Sequence, residues 1–247
     1  MSYDYRLFQY YGDHIAEGTV VFIPVSYFSL FGTGEVHRDD FATKNKRYYS
    51  ILPSSLIKEY DFETDIYAKY LPALTANTGD LIKTLLRKTA DTIAIDDVWP
   101  EAVTDMDVTE SAESIAYLHT EDKERFYDDG GNRIENQEEI GALYGLVRGC
   151  QDNGAVPILI TTPYLHEYTD AVKEKSEGFY DHFYSIIGQV VKDTGVEYYD
   201  YAFDERFASG YSWFWDSTHL NKEGARRFTN ILMQEIVYAK GYLQPDT

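Results

Sequence analysis

The sequence predicts an α/β fold in three α/β/α layers, a parallel sheet with helices on both of its faces. Three observations predict it. The continuous apolar runs "TVVFIPV" (19–25) and "VPILIT" (156–161) have the composition of strands buried on both faces. "VEYYDY" (196–201) reads as a third strand, and patterns of helical period separate the three. At 247 residues the chain can bury one sizeable core, so it reads as a single α/β domain over 1–247.

The elements follow in order. Leu7, Tyr10, Tyr11, His14 and Ile15 recur at helical spacing, which makes residues 3–16 an amphipathic helix. Gly18 ends it, and the first strand follows. Residues 33–135 read as a large, mainly helical insertion or cap beside the core. Inside it, 54–74 and 79–88 have helical character and "DTIAI" (91–95) suits a short strand. Asp96–Arg133 is acidic and irregular, with turn signals at "DDGGN". Asn136 is an N-cap with Glu139 in the capping-box position. Ile140, Leu143, Tyr144 and Val147 then form one helical stripe, which "NGA" ends before the second strand. Phe179, Phe183, Ile186, Ile187, Val190 and Val191 mark a long helix ending at Gly195. After the third strand and a loop, Asn221 caps a closing helix marked by Ala225, Phe228, Leu232, Ile236 and Ala239. Ligands of such sheets gather at the carboxyl ends of the strands, here Pro24–Phe28, Thr161–Tyr164 and Asp200–His219.

Composition excludes several classes of function. Hydrophobic content of 44% and charged content of 26% belong to a globular chain. A formal charge of −20 argues against nucleic acid and against anionic lipid. Cys150 is the only cysteine, so no internal disulfide forms and a cysteine-based metal site is not expected. Its place on the helix 137–153 suits an inert, buried thiol. No signal peptide and no run of about 18 apolar residues is present, so the sequence reads as soluble with no membrane segment, and it does not name a compartment. "MSYDYRLFQYYGDH" begins abruptly in helical pattern, which suggests a piece of a longer protein. The 23 tyrosines suit an aromatic core or a sugar-binding cleft.

Of six histidines only His219 has an Asp three residues before it. That spacing alone is close to chance, but its position is informative. Asp216 and His219 follow the last strand and precede the last helix, within "FWDSTHLNKEGARRF". From a turn, an Asp carboxylate can hold the imidazole Nδ1–H, leave Nε2 free as a base and stabilise the imidazolium.

This block, "WDSTHLNKEGARRFTNIL", resembles the last block of the SGNH, or GDSL-type, hydrolases, and "PILITTPYL" (157–165) is similar to their penultimate strand and its exit loop. The resemblance implies a flavodoxin-like sandwich in which His219 is the general base and Asp216 its partner. It covers 136–240 clearly and extends to 3–31. The family's Gly-Asp-Ser nucleophile block is not found, nor is its oxyanion glycine, and "SYFSLFG" stands where a Gly-x-Asn-Asp block is expected. If helix 3–16 and strand 19–25 match the family's second helix and third strand, the sheet lacks its first strands and the nucleophile block lies outside this chain. The resulting open sheet edge predicts pairing into a homodimer.

Ser26, just after the first strand, is the candidate substitute: a nucleophile, or a polar lining residue where the family keeps its Asn. Trp213 and Trp215 beside the Asp/His pair, and Tyr164 at the exit of the second strand, are candidate substrate contacts; core packing is the alternative for the tryptophans. Asp200 and Asp204 could approach a cation together with Asp216, but carboxylates in acidic loops are ordinarily solvated, so no metal site is expected. His14, His37, His119, His166 and His182 show no ligand spacing. No Gly-rich phosphate loop follows any strand, which argues against a flavin or nucleotide, and no cofactor is expected. The implied function is an SGNH-like serine esterase or acyltransferase acting on O-acyl groups of a small molecule, carbohydrate or cell-envelope polymer. The alternative is an inactive module of the same fold that binds glycan or a protein partner.

Overall fold

The computed structural model describes residues 1–32, 48–70 and 108–243. The chain forms two compact units, Met1–Gly34 with Trp99–Thr247, and Glu35–Val98. The expected helix 79–88 and strand 91–95 lie outside the described residues.

In the larger unit, helix α1 (Ser2–Tyr11) runs into a 3-10 turn at Gly12–His14, and β1 (Val20–Pro24) follows. After it come the 3-10 turn Tyr27–Leu30, and in the smaller unit α2 (Phe62–Tyr70). The larger unit resumes with α3 (Val108–Thr120), α4 (Lys123–Phe126), α5 (Gln137–Asp152) and β2 (Val156–Thr161). Then come α6 (His166–Lys175), α7 (Phe179–Thr194), β3 (Glu197–Asp200) and α8 (Lys222–Leu232), which continues as a π-helical stretch over Met233–Tyr238.

The three strands are parallel in the order β1-β2-β3. Ile23 pairs with Leu159 and Leu159 with Tyr198; one position on, Pro24 pairs with Ile160 and Ile160 with Tyr199. Successive rows point to opposite faces of the sheet. Ile23, Leu159 and Tyr198 join a cluster with α1, α3 and α5 to α7, whereas Ile158, Ile160 and Tyr199 join a second with Phe207, Phe214, Phe228, Leu232 and Ile236. Helical segments therefore cover both faces, with α8 on its own side. No helix among the described residues is long and apolar enough to cross a membrane.

Local chemistry explains the caps. Asn136 accepts the Glu139 N–H (3.1 Å) and Gly195 ends α7 in the left-handed region at φ 71°. The capping box is only half formed. Asn136 N–H donates to the Leu30 carbonyl, and the Glu139 carboxylate instead accepts the Ser2 N–H (2.8 Å) and hydroxyl (2.7 Å), tying α1 to α5. Gly145 and Gly149 let the two helices approach: a Cβ on either would lie 2.5 Å from the Tyr5 ring or 2.3 Å from that of Phe8.

Three sequence readings need correction. The helical stretch read at 54–74 is broken within the described residues. A 3-10 turn at Ser54–Leu56 gives way to a left-handed Glu59 (φ 50°), and Asp61, accepting the Thr64 N–H at 2.6 Å, starts α2 afresh. The stretch read as irregular up to Arg133 contains α3 and α4, with Ala112, Ala116 and Phe126 in the main core. Helix α6 was also missed. It packs extensively on α3 and buries Tyr168, Thr169, Ala171 and Val172. The facing stripes of α3 and α6 are largely Ala, Thr and Tyr, so neither shows the aliphatic periodicity that reveals a helix.

Candidate active site

The Asp216–His219 stretch is the tip of a tight hairpin. Phe214 bridges Leu220, Trp215 N–H donates to the His219 carbonyl (3.1 Å), and Asn221 N–H donates to the Trp213 carbonyl (2.9 Å). Asn221, nearly buried, does three jobs. Its Oδ1 caps α8 by accepting the Gly224 N–H (3.0 Å), its Nδ2 donates to the Ser212 carbonyl (2.7 Å), and its backbone closes the hairpin. Gly224 makes that seat available, since a Cβ there would lie 2.1 Å from the Trp213 carbonyl oxygen. Leu165 N–H, from the loop after β2, donates to the Ser217 carbonyl (3.0 Å) and fixes the tip against the sheet's carboxyl edge.

Within the tip, Asp216 serves both turn and histidine. Its Oδ1 accepts the backbone N–H of Thr218 (2.7 Å) and of His219 (2.8 Å), an Asx-type turn. Its Oδ2 lies 2.8 Å from His219 Nδ1. The carboxylate only accepts, so Nδ1 carries the proton and Nε2 offers its lone pair. Among the described residues Nε2 has no hydrogen-bond partner. Burial pushes the Asp216 carboxyl up, but the hydrogen bonds from His219 and Thr218 outweigh it and hold the group below the usual carboxylate range. The hydrogen bond and charge of Asp216 raise His219 above its ordinary value, with burial opposing.

The remaining expected residues occupy distinct places. Trp215 is 41% exposed, its ring 5.2 Å from that of His219. Trp213 packs against Phe207 (5.6 Å) beneath the Arg227 guanidinium (4.2 Å). It borders a groove of about 690 Å³ on the α8 surface with Arg206, Arg226, Arg227 and Glu235, and neither Asp216 nor His219 lines that groove. Tyr164 is 2% exposed; its hydroxyl lies beside Ser26 and Thr162 without a well-formed hydrogen bond to either. Ser26 is half-buried at the end of β1 and opens the turn Tyr27–Leu30. Its carbonyl accepts from Ser29, and its hydroxyl makes no hydrogen bond to His219. Asp200 and Asp204 have partners other than Asp216. Asp200 accepts the hydroxyls of Tyr27 and Tyr184, and Asp204 binds Arg206.

The sequence reading missed His119, at the end of α3. Its Nδ1 is 3.0 Å from the Tyr168 hydroxyl and its ring stacks on Phe28 (3.8 Å, 26°), two residues after Ser26. His119 feels the charges of both His219 and Asp216. Burial chiefly, then Arg125 and His219, hold it down at about 4 against a weaker opposing pull from Asp216, so it stays neutral. Tyr168 in turn meets Tyr164 edge-on (5.2 Å), and Tyr164 adjoins Ser26. A chain of ring contacts therefore runs from Tyr164, beside Ser26, through Tyr168 to His119. The signal that could have found His119 is the stripe Ala112, Ala116, His119, a buried helix face ending in an imidazole.

Compared with protein-family models, with curated proteins and with solved structures, the chain has no match in any of the three.

Proposed function

We propose that the chain is an SGNH-like esterase or acyltransferase in which His219, oriented by Asp216, is the general base. One observation carries the reading: His219 donates Nδ1–H to a carboxylate while its Nε2, at the carboxyl edge of a parallel sheet, has no hydrogen-bond partner among the described residues. Parallel order β1-β2-β3 with helices on each face supports a flavodoxin-like sandwich. In the reaction a hydroxyl gives its proton to Nε2 as its oxygen bonds to the acyl carbonyl carbon. The ester C–O bond then breaks, and the imidazolium returns the proton to the departing alkoxide. Ser26, on the same sheet edge, is the candidate hydroxyl of this chain. The exposed Trp215 ring beside His219 supports an O-acylated sugar or envelope polymer as substrate.

Turnover of p-nitrophenyl acetate by wild type, His219→Ala and Ser26→Ala tests this. Wild-type turnover lost in His219→Ala supports the base; equal rates remove His219 from the mechanism. Loss in Ser26→Ala assigns the nucleophile, and retention excludes Ser26.

A second reading has its own observation: no hydroxyl among the described residues bonds His219 Nε2. An inactive module would bind an acylated oligosaccharide through Trp215 and leave it intact. Shifts of the His219 and Trp215 ring resonances on titration, with no acid released, would favour this reading. In either case β1 is an edge of the sheet among the described residues, and pairing with a second copy through it predicts a dimer by light scattering. A stable monomer rejects that pairing.

A further inference from the structure

Tyr168 is fully buried, and among the described residues its hydroxyl has one hydrogen-bond partner, Nδ1 of His119 at 3.0 Å. Burial drives its ionisation far above the ordinary phenol range, so the O–H keeps its proton. A buried hydroxyl proton needs an acceptor, and among the described residues only the imidazole supplies one. Tyr168 therefore donates, Nδ1 accepts, and the single proton of neutral His119 sits on Nε2. The ring cannot turn freely, because Phe28 stacks on its face and Tyr168 meets it edge-on (5.8 Å, 76°). Its Nε2–H has no partner among the described residues.

His119 thus has the tautomer opposite to that of His219, and it feels the charge of the same carboxylate. The geometry points to His119 as the donor that binds the acyl oxygen in this site, its Nε2–H hydrogen-bonding the oxygen on which charge develops as a carbonyl is attacked. The assignment rests on His219 being the base, as proposed above. No proton leaves His119: the attacking hydroxyl's proton goes to His219, and the oxyanion only accepts a hydrogen bond. It would fill the role of the glycine and asparagine donors that the sequence does not show. A neutral donor suits the place, since a cationic one would oppose the imidazolium that forms on His219. Burial first, then Arg125 on α4 and His219 on the hairpin, leave it uncharged near neutral pH against the weaker opposing pull of Asp216.

Wild type, four variants and two readouts test the inference. With p-nitrophenyl acetate, His119→Phe keeps the stacking on Phe28 and removes the donor, so kcat falls about 10²–10³-fold with KM little changed. His119→Gln restores an N–H and recovers part of the loss. Nitrogen-15 spectra of the imidazoles show His119 protonated at Nε2, and Tyr168→Phe releases that preference. Normal kcat in His119→Phe, with turnover still lost in His219→Ala, overturns the donor role and leaves the base standing. Equal turnover in wild type and His219→Ala overturns the base, and the donor role with it. A wild-type His119 carrying its proton on Nδ1 overturns the donor role whatever the rates.

Discussion

The tip of the 214–220 hairpin and the end of α3 each present one imidazole, and they treat it in opposite ways. The hairpin holds His219 with groups three residues away or fewer: the Asp216 carboxylate, the Thr218 hydroxyl and the turn itself. The helix end holds His119 with groups far away in sequence, Phe28 and Tyr168. A carboxylate on Nδ1 makes His219 more basic and frees Nε2 to accept; burial chiefly keeps His119 neutral, and the phenol on its Nδ1 leaves Nε2 to donate. The identity of the group at Nδ1 decides what each ring can do.

The largest expected effect breaks the hairpin side. His219→Ala should lower kcat/KM for p-nitrophenyl acetate about 10²–10⁴-fold, the usual share of a positioned base. Its side chain is 58% exposed, so the melting temperature should barely move. A large loss of stability in this variant would mean that the imidazole holds the hairpin together.

The next effect belongs to the helix side and appears in stability. The folded-state value of His119, about 4, lies below its ordinary 6.5. Its contribution is therefore present above pH 6.5, where both states are neutral, and is lost as pH falls towards 4, where only the unfolded chain takes the proton. A difference of that size is worth up to about 3 kcal/mol. Urea unfolding across pH 4–7 should show wild type losing more stability than His119→Phe by that margin. Parallel curves would show that His119 titrates normally. His219 has the opposite slope: its value is raised, so its contribution is full below pH 6.5 and fades as pH climbs through the raised value.

The contrast also explains what the sequence showed. Asp216, His219, Asn221 and Gly224 lie within nine residues, and each does its work through a neighbour in the chain. A spacing can therefore reveal them. The strands were legible for a similar reason, since β1 and β2 are short apolar runs that declare themselves locally. His119 was not legible, because its partners are 49 residues away on α6 and more distant still at Phe28. The two helices that bring them together bury Ala112, Ala116 and Thr120 on α3 and Tyr168, Thr169, Ala171 and Val172 on α6, which carry little periodic signal. Trp213 follows the packing alternative that its sequence context left open. Its neighbourhood in sequence suggested the site, but its ring packs with Phe207 and Arg227 on the α8 side.

Gly224→Ala separates the two regions at moderate cost. A Cβ 2.1 Å from the Trp213 carbonyl must push the hairpin off the first turn of α8, a strain of about 1–3 kcal/mol. The rate should fall with stability, while the His119 tautomer, held from α6, stays as in wild type. A change at His119 in this variant would show that the two regions are mechanically coupled.

The smallest change in structure sharpens the comparison most. In Asp216→Asn the amide oxygen can still accept the N–H groups of Thr218 and His219, so the turn survives. The amide nitrogen then takes the place of Oδ2 and donates to His219 Nδ1. That reverses the bond that now fixes the ring, moves the proton to Nε2 and removes the charge that raises its basicity. His219 would acquire the protonation that Tyr168 imposes on His119. The rate should drop as the base is lost, and the remaining activity's acidic limb should move to lower pH, because burial acts alone once the carboxylate is gone. A limb that stays in place belongs to another group. A limb that moves with the charge ties the pH dependence to one hydrogen bond, the one between Asp216 and Nδ1.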